Sequence, residues 1–168
     1  ANLPYYITTP IIMHLIESRF NIKLMVFMMQ KEVAERIVAS AGTKAYGSLS
    51  VAVQYFTEPV LVTKVPKTVF IPKPEVESAV VKFTTREQPP VKLLDEANFF
   101  KLVRAAFGQR RKTLTNALSS GLLGLNKEQV SEFLEEADIV GQRRGETLSL
   151  LEFAHLSNCF TEGYDDKS

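Results

Sequence analysis

Residues 23–40 read KLMVFMMQKEVAERIVAS, and the change of texture inside that stretch decides the fold class. KLMVFMMQ (23–30) is an apolar run bounded by polar residues, the pattern of a strand buried on both faces. KEVAERIVAS (31–40) returns to helical spacing through Val33, Ile37 and Val38, and Gly42 follows as a stop signal. A strand running straight into a helix is the building unit of α/β folds. Upstream, TTPIIMHLIESRF (8–20) reads as a helix with Pro10 in its first turn and apolar Ile12, Leu15, Ile16 and Phe20. Downstream, SLSVAVQYF (48–56) reads as another helix, ended before Pro59. PVLVTKVP (59–66) and ESAVVKFTT (77–85) are rich in β-branched residues and read as strands able to pair antiparallel. Residues 1–88 therefore predict the C-terminal half of an α/β doubly wound domain. No Gly-rich loop follows a strand and no acidic residue ends a second strand. The front half of such a domain is expected to precede Ala1.

REQPPVKLL (86–94) is the natural linker, and from Asp95 the pattern is helical only. Residues 89–168 predict a small all-α domain of about four helices. Asp95 caps EANFFKLVRAAF, with Gly108 just past its end. QRRKTLTNALSS (109–120) reads as the next helix, stopped by Gly121. Asn126 and Gln129 form a cap for KEQVSEFLEEA, whose Val130, Phe133, Leu134 and Ala137 share one face. Ser149 and Glu152 make a second capping box, with Leu148 and Phe153 placed as a hydrophobic staple. TEGYDDKS (161–168) reads as a frayed tail.

The net charge of +1 conceals an uneven distribution. Residues 1–94 carry 11 Lys/Arg against 7 Asp/Glu, and residues 95–168 carry 9 against 12. Within the second part, Lys101, Arg104, Arg110, Arg111 and Lys112 are free of acids, while Glu128, Glu132, Glu135, Glu136 and Asp138 are free of bases. Such a dipolar domain suits a polyanion on its basic side, and it equally suits two solvated helix faces. The trio Arg110-Arg111-Lys112 tips the balance. Cations opening a helix oppose its macrodipole, so stability does not explain them, whereas a phosphate would welcome them. Arg143 and Arg144 either extend this patch or hold the last helix. The single cysteine, Cys159, excludes an internal disulfide and suits a reducing, cytoplasmic setting. His14 and His155 lie too far apart to suggest a metal site, and none is expected. His14 and Cys159 read as helix-packing residues. No run approaches a membrane span, and no secretory signal opens the chain.

Chemistry concentrates in Asn2-Leu3-Pro4-Tyr5. If a strand ends here at the carboxyl edge of the sheet, Asn2 offers a side-chain acceptor beside the ligand crevice. Pro4 has no amide hydrogen and biases Leu3 to extended geometry, so the Leu3 carbonyl is a second free acceptor. Tyr5 supplies a flat face. Two acceptors beside an aromatic plate suit the exocyclic amino group of a stacked heteroaromatic base, although the same residues also make an ordinary strand-to-helix turn. In VFIPKPEV (69–76), alternate prolines stiffen a loop in which Phe70 reads, on its own, as a core anchor. Gln30 and Lys31 follow a strand end and are minor candidates for an RNA contact. Glu32 and Glu35 read as partners in ordinary i, i+4 pairs with Lys31 and Arg36.

NLPYYIT (2–8) resembles the substrate-amino motif of S-adenosylmethionine-dependent amino methyltransferases, and its Asn-Leu-Pro-Tyr form is similar to the ribosomal RNA adenine N6,N6-dimethyltransferases. MMQKEVAERIVASAGTKAYGSLSVAVQ (28–54), VFIPKPEVESAVVKF (69–83), FFKLVRAAFGQRRKTLTNAL (99–118) and RRGETLSLLEF (143–153) resemble the small-subunit enzymes of that family in order and spacing. The resemblance implies a Rossmann-like methyltransferase domain followed by a small helical RNA-binding domain. It implies dimethylation at N6 of two adjacent adenosines near the 3′ end of small-subunit ribosomal RNA, coupled to ribosome biogenesis. The donor would be S-adenosylmethionine, with most of its site in the part preceding Ala1 and Asn2 closing its pocket. Asn2, Leu3, Pro4 and Tyr5 would form the catalytic motif, and Phe70 the plate opposing Tyr5. Lys101, Arg104, Arg110, Arg111 and Lys112 would contact the RNA of the small ribosomal subunit. A large-subunit adenine methyltransferase of the antibiotic-resistance type, a mitochondrial transcription-factor relative and a non-catalytic ribosome-assembly module remain the alternatives. The intact protein is expected to be a monomer; the present chain alone is expected to be inactive and prone to self-association through uncovered surfaces.

Overall fold

The computed structural model describes residues 1–18 and 20–164. Contacts divide the chain into two compact units, one of Ala1–Ala39 with Ala52–Pro90, the other of Ser40–Val51 with the chain from Val91 onward.

The first unit is mixed α/β. It contains α1 (Tyr5–Glu17), β1 (Leu24–Gln30), α2 (Lys31–Ile37), β2 (Thr57–Val65) and β3 (Ser78–Thr85); α3 (Ser48–Phe56) crosses the boundary between units. β3 is the central strand of a sheet ordered β1-β3-β2, antiparallel to both neighbours. Residues 1 and 2 add a short parallel contact on β1, where Asn2 bridges to Met28 and the Met28 N–H donates to the Ala1 carbonyl at 3.0 Å. Asn2 is thereby set beside the carboxyl end of β1.

Period-two alternation sends Met25, Phe27 and Met29 to one face of β1, opposite Phe83, Val81 and Ala79 of β3. All six are buried, and α1 and α2 contact these strands. Ile12 and Ile16 of α1 and Ala34 and Ile37 of α2 complete this core. The other face differs from the expected two-sided burial of β1. Leu24, Val26 and Val60 are exposed there, because the covering helices lie on one side of the sheet among the described residues.

α1 starts at Tyr5 rather than at residue 8. Pro4, at φ −54° and ψ 136°, brings the chain in extended, and its carbonyl accepts the Ile7 N–H at 3.1 Å and the Thr8 hydroxyl at 3.0 Å. Pro10 therefore lies inside the helix, where it removes one ladder hydrogen bond, instead of in the first turn. Phe20, expected on the buried stripe, is half exposed and meets the exposed His14 edge-on.

The second unit holds four helices among the described residues: α4 (Glu96–Gly108), α5 (Leu114–Leu118), α6 (Lys127–Glu136) and α7 (Leu150–Tyr164). Their apolar stripes meet in a core of Phe99, Leu102, Leu114, Leu118, Phe133, Leu134 and Phe153. The caps lie where the sequence places them. Asp95 accepts from the Asn98 N–H at 2.6 Å, and Asn126 and Gln129 exchange both bonds of a capping box. Ser149 and Glu152 do the same at the start of α7, with Leu148 and Phe153 fully buried beside them.

The helix expected over 109–120 shrinks to α5. The Leu114 and Thr115 N–H groups donate to the carbonyls of Arg143 and Gly141, so tertiary partners take the donors that a longer helix would use. Residues 40–51 join this unit through the Gly42 N–H, bonded to the Glu146 carbonyl at 2.7 Å, and through Tyr46, edge-on to Phe107. Burial pushes the Tyr46 phenol up to about 12. Residues 161–164 continue α7 rather than fraying, and 165–168 lie outside the described residues. Among the described residues no helix is long and apolar enough to cross a membrane.

Candidate functional site

The five expected RNA-binding cations fall into two groups. Lys101 and Arg104 lie on α4, half-buried and exposed respectively, and Arg111 and Lys112 are exposed in the turn after it. None of these four side chains has an ion-pair partner among the described residues. Arg110 is different. Its guanidinium donates to the Lys44 carbonyl and pairs with Glu146 at 3.3 Å, which ties residues 40–51 to the turn before Leu148. The macrodipole reasoning behind the trio also fails, since these residues occupy a turn and α5 is only 5 residues long with its first donors occupied. Arg143 holds the last helix: it reaches Glu152 at 2.5 Å and the Thr147 hydroxyl and carbonyl at 3.1 and 2.8 Å. That hydrogen bond draws the Glu152 carboxyl down to about 2.

The opening motif builds the other site. Pro4 turns the chain from the bridge at Asn2 into α1, so Asn2, Leu3 and Tyr5 emerge at one point beside the carboxyl end of β1. Neither the Asn2 side chain nor the Leu3 carbonyl has a hydrogen-bond partner among the described residues, which leaves two acceptors available. Tyr5 is half-buried, and its hydroxyl shares a 2.7 Å hydrogen bond with Ser78, fully buried at the start of β3. That bond ties down the outer end of the Tyr5 side chain, so it opposes a swing of the ring away from the site.

Asn2, Leu3, Pro4 and Tyr5 line a concavity of about 340 Å³ together with Phe70, Pro72 and Pro74. That volume is at the small end for a ligand site and suits a planar base. Phe70 is half-buried and lines this concavity, so it is a wall of the site and not the core anchor that its residue type suggested. Lys31 is engaged elsewhere: it pairs with Glu77 at 2.7 Å, which raises the ammonium pKa and lowers that of the carboxylate. Glu35 meets Lys64 at 3.7 Å rather than Lys31, while Glu32 and Arg36 form the expected i, i+4 pair. Cys159 is half-buried and burial raises its thiol pKa, so nothing marks it as a nucleophile.

A model of the ribosomal RNA adenine dimethylase family matches residues 1–156. The chain belongs to that family. Among curated relatives it is 58% identical over 160 residues to a ribosomal RNA small subunit methyltransferase A of Geobacillus, covering 94% of this chain and 55% of the relative. It is 58% identical over 157 residues to the Moorella thermoacetica protein of the same name, covering 94% and 54%. The chain thus spans about half the length of the curated relatives it matches. Among solved structures, a dimethyladenosine transferase from Plasmodium falciparum aligns with TM-score 0.82 and 29% identity over 96% of this chain and 66% of that one. The 23S ribosomal RNA methyltransferase ErmE aligns with TM-score 0.65 and 22% identity over 94% and 62%, a likeness of fold. The fold is that of the C-terminal half of a Rossmann-like methyltransferase domain followed by a small helical domain.

Within the adenine dimethylase family, then, this chain supplies the Asn-Leu-Pro-Tyr turn and the loop that faces it. Sequence reading missed three parts of the arrangement. Ser78 anchors Tyr5, Pro72 and Pro74 line the concavity rather than merely stiffening its loop, and Glu146 engages Arg110. The alternate prolines were a usable signal for the second. A buried serine in a β-branched strand was a faint one for the first.

Proposed function

We propose that this chain forms the base-binding edge and a helical RNA-binding unit of an S-adenosylmethionine-dependent enzyme that dimethylates N6 of two adjacent adenosines near the 3′ end of small-subunit ribosomal RNA, as a step of ribosome biogenesis. The observation that carries this reading is the concavity that joins two free acceptors at Asn2 and Leu3 to two aromatic side chains at Tyr5 and Phe70. The names of the bacterial relatives support ribosomal RNA of the small subunit as substrate, and a bacterial ribosome as substrate would put the reaction in the cytoplasm.

The chemistry asked of these residues is orientation. An adenine turned out of its stack lies between Tyr5 and Phe70, and stacking on aromatic side chains contributes ~1–3 kcal/mol per base, which offsets part of the cost of extracting it. The Asn2 amide oxygen and the Leu3 carbonyl each accept one hydrogen of the exocyclic amino group. Holding both hydrogens draws the nitrogen lone pair out of conjugation and points it along one direction. No strong general base is needed, because rate is gained by fixing the attack geometry. Ser78 keeps the Tyr5 plate in place while the base enters.

S-adenosylmethionine supplies the methyl group when bound. Of the lining residues, Asn2 is the one suited to border it; no carboxylate lines the concavity to take a ribose, so the concavity fits the base and one edge of the donor. On the helical unit, Lys101, Arg104, Arg111 and Lys112 provide charge for RNA phosphates.

The test is methyl transfer from labelled S-adenosylmethionine to unmethylated small ribosomal subunits, using the full product of the gene and its Asn2→Ala variant. Incorporation into adenine is expected, with a loss of about 10²- to 10³-fold in the variant, as for removal of one preorganised hydrogen-bonding group. Tight subunit binding with no incorporation would instead mark an assembly factor.

A further inference from the structure

The loop opposite the Asn-Leu-Pro-Tyr turn does more than present Phe70. Phe70 and Pro72 both line the concavity, yet Ile71 between them has a relative exposure of 101%, its side chain wholly in water. Val69 at 62% and Val76 at 42% are exposed on the same loop. Single exposed apolar residues are ordinary on protein surfaces; three on one short loop at the rim of a site are not. Pro66, Pro72 and Pro74 fix φ along the segment, so the tip is held out instead of folding back onto the protein. Ile71 itself is β-branched and stiff at χ1. Lys73, two residues beyond, is exposed with no ion-pair partner among the described residues. A rigid apolar point with a cation beside it is complementary to a base step and its phosphate, since proteins that unstack nucleic acids insert Ile, Leu or Phe between bases.

We propose that Ile71 is a wedge: it enters the gap opened in the RNA stack when the target adenine turns into the concavity, and Lys73 holds the adjoining phosphate. The proposal rests on the adenine methyltransferase reading. Ile71 is a positioning residue in it, acting on the neighbours of the target and not on the reacting nitrogen. Filling the gap removes the driving force for the adenine to swing back, so the wedge matters only when the target begins stacked.

The experiment compares two RNAs of identical sequence around the target, one a hairpin with the adenines stacked and one an unstructured oligonucleotide. The full gene product is assayed as wild type, Ile71→Ser and Ile71→Met. 2-Aminopurine at the target position reports extrusion. Ile71→Ser is expected to lower kcat/KM about tenfold on the hairpin, a fraction of the unstacking cost. It should leave 2-aminopurine quenched in the hairpin and change the unstructured substrate little. Ile71→Met should restore both hairpin readouts. An equal loss on both RNAs, which a packing defect would give, overturns the wedge, and so does no loss on either. Unmethylated small ribosomal subunits serve as the control substrate: a wild-type protein that methylates none of the three overturns the enzyme reading and the wedge with it, and one active on subunits alone overturns a wedge that acts on a bare base stack.

Discussion

The Tyr5 hydroxyl and the Ser78 hydroxyl are the only polar partners each side chain has among the described residues, and 73 positions separate them. Ser78 is fully buried, so either single deletion strands a polar group. Tyr5→Phe is expected to cost about 1–3 kcal/mol by orphaning the serine hydroxyl, and Ser78→Ala about 1–2 kcal/mol by orphaning the less buried phenol. The double variant should be less destabilised than the sum by roughly 1 kcal/mol, because both partners are then apolar. Urea unfolding of the four proteins measures the coupling, and strict additivity would remove Ser78 from the site. The same pair shows what the sequence conveys. The Asn2–Tyr5 turn was legible because its chemistry is local: one proline sets the geometry of its neighbours. Ser78 was not, since its role exists only once β3 has paired with β1 in a register that sets it opposite Gln30. Phe70 was half legible, as an aromatic residue with no periodic partner.

Capping motifs span four residues, and each one written in the sequence is formed in the fold. The chain over 109–120 was misread for the opposite reason: the groups that shorten it are the carbonyls of Gly141 and Arg143. The start of α7 combines both scales, because Glu152 closes the capping box with Ser149 and receives Arg143. Its carboxyl falls from an ordinary 4.5 to about 2, first through the Arg143 hydrogen bond and then through Ser149, against the cost of desolvation. A pKa depressed in the folded state gives stability that is complete above about 4.5 and lost as pH falls toward about 2. Glu152→Gln should therefore cost ~1 kcal/mol near neutrality, after discounting for screening at this partly exposed pair, and almost nothing at the acid end. Urea midpoints across that window check it; a pH-independent gap would show that the carboxylate charge is irrelevant. Close approach between elements gives a second expectation. A Cβ on Gly145 would lie 2.9 Å from the Ala106 carbonyl oxygen of α4, and backbone cannot rotate away. Gly145→Ala should destabilise by about 1–3 kcal/mol, read in the same unfolding assay.

At the scale of the molecule, a linear boundary cannot express that residues 40–51 cluster with the chain from Val91 onward, because Tyr46 and Gly42 find their partners more than fifty positions away. Sheet topology was more legible: antiparallel pairing of β2 with β3 follows from two β-branched runs joined by one stiff loop. Burial of both faces of β1 was overestimated, and the discrepancy has a consequence in solution. Leu24 and Val26 of β1 and Val60 of β2, on the face away from α1 and α2, are all more than 40% exposed, as is Val62 at the bulge beside Leu61. In register, Val26 and Val60 flank Lys82 of β3 from either side, while Glu58 of β2 stands opposite Thr84 toward one end of that face. A bare apolar sheet face of this kind associates with its like, each side chain gaining about 25 cal/mol for every Å² removed from water. This chain is expected to self-associate in a concentration-dependent way, and Val26→Thr with Val60→Thr should shift it toward monomer. Threonine keeps the β-branched shape that strands favour, so the pairing of β1 and β2 with β3 should survive, as circular dichroism would show. Sedimentation equilibrium distinguishes the outcomes. A wild-type chain that stays monomeric at high concentration would mean that these four side chains, though exposed, do not form a sticky surface. A variant that associates as strongly as wild type would move the contact to the free edge of β2, where unpaired backbone groups offer a different attachment.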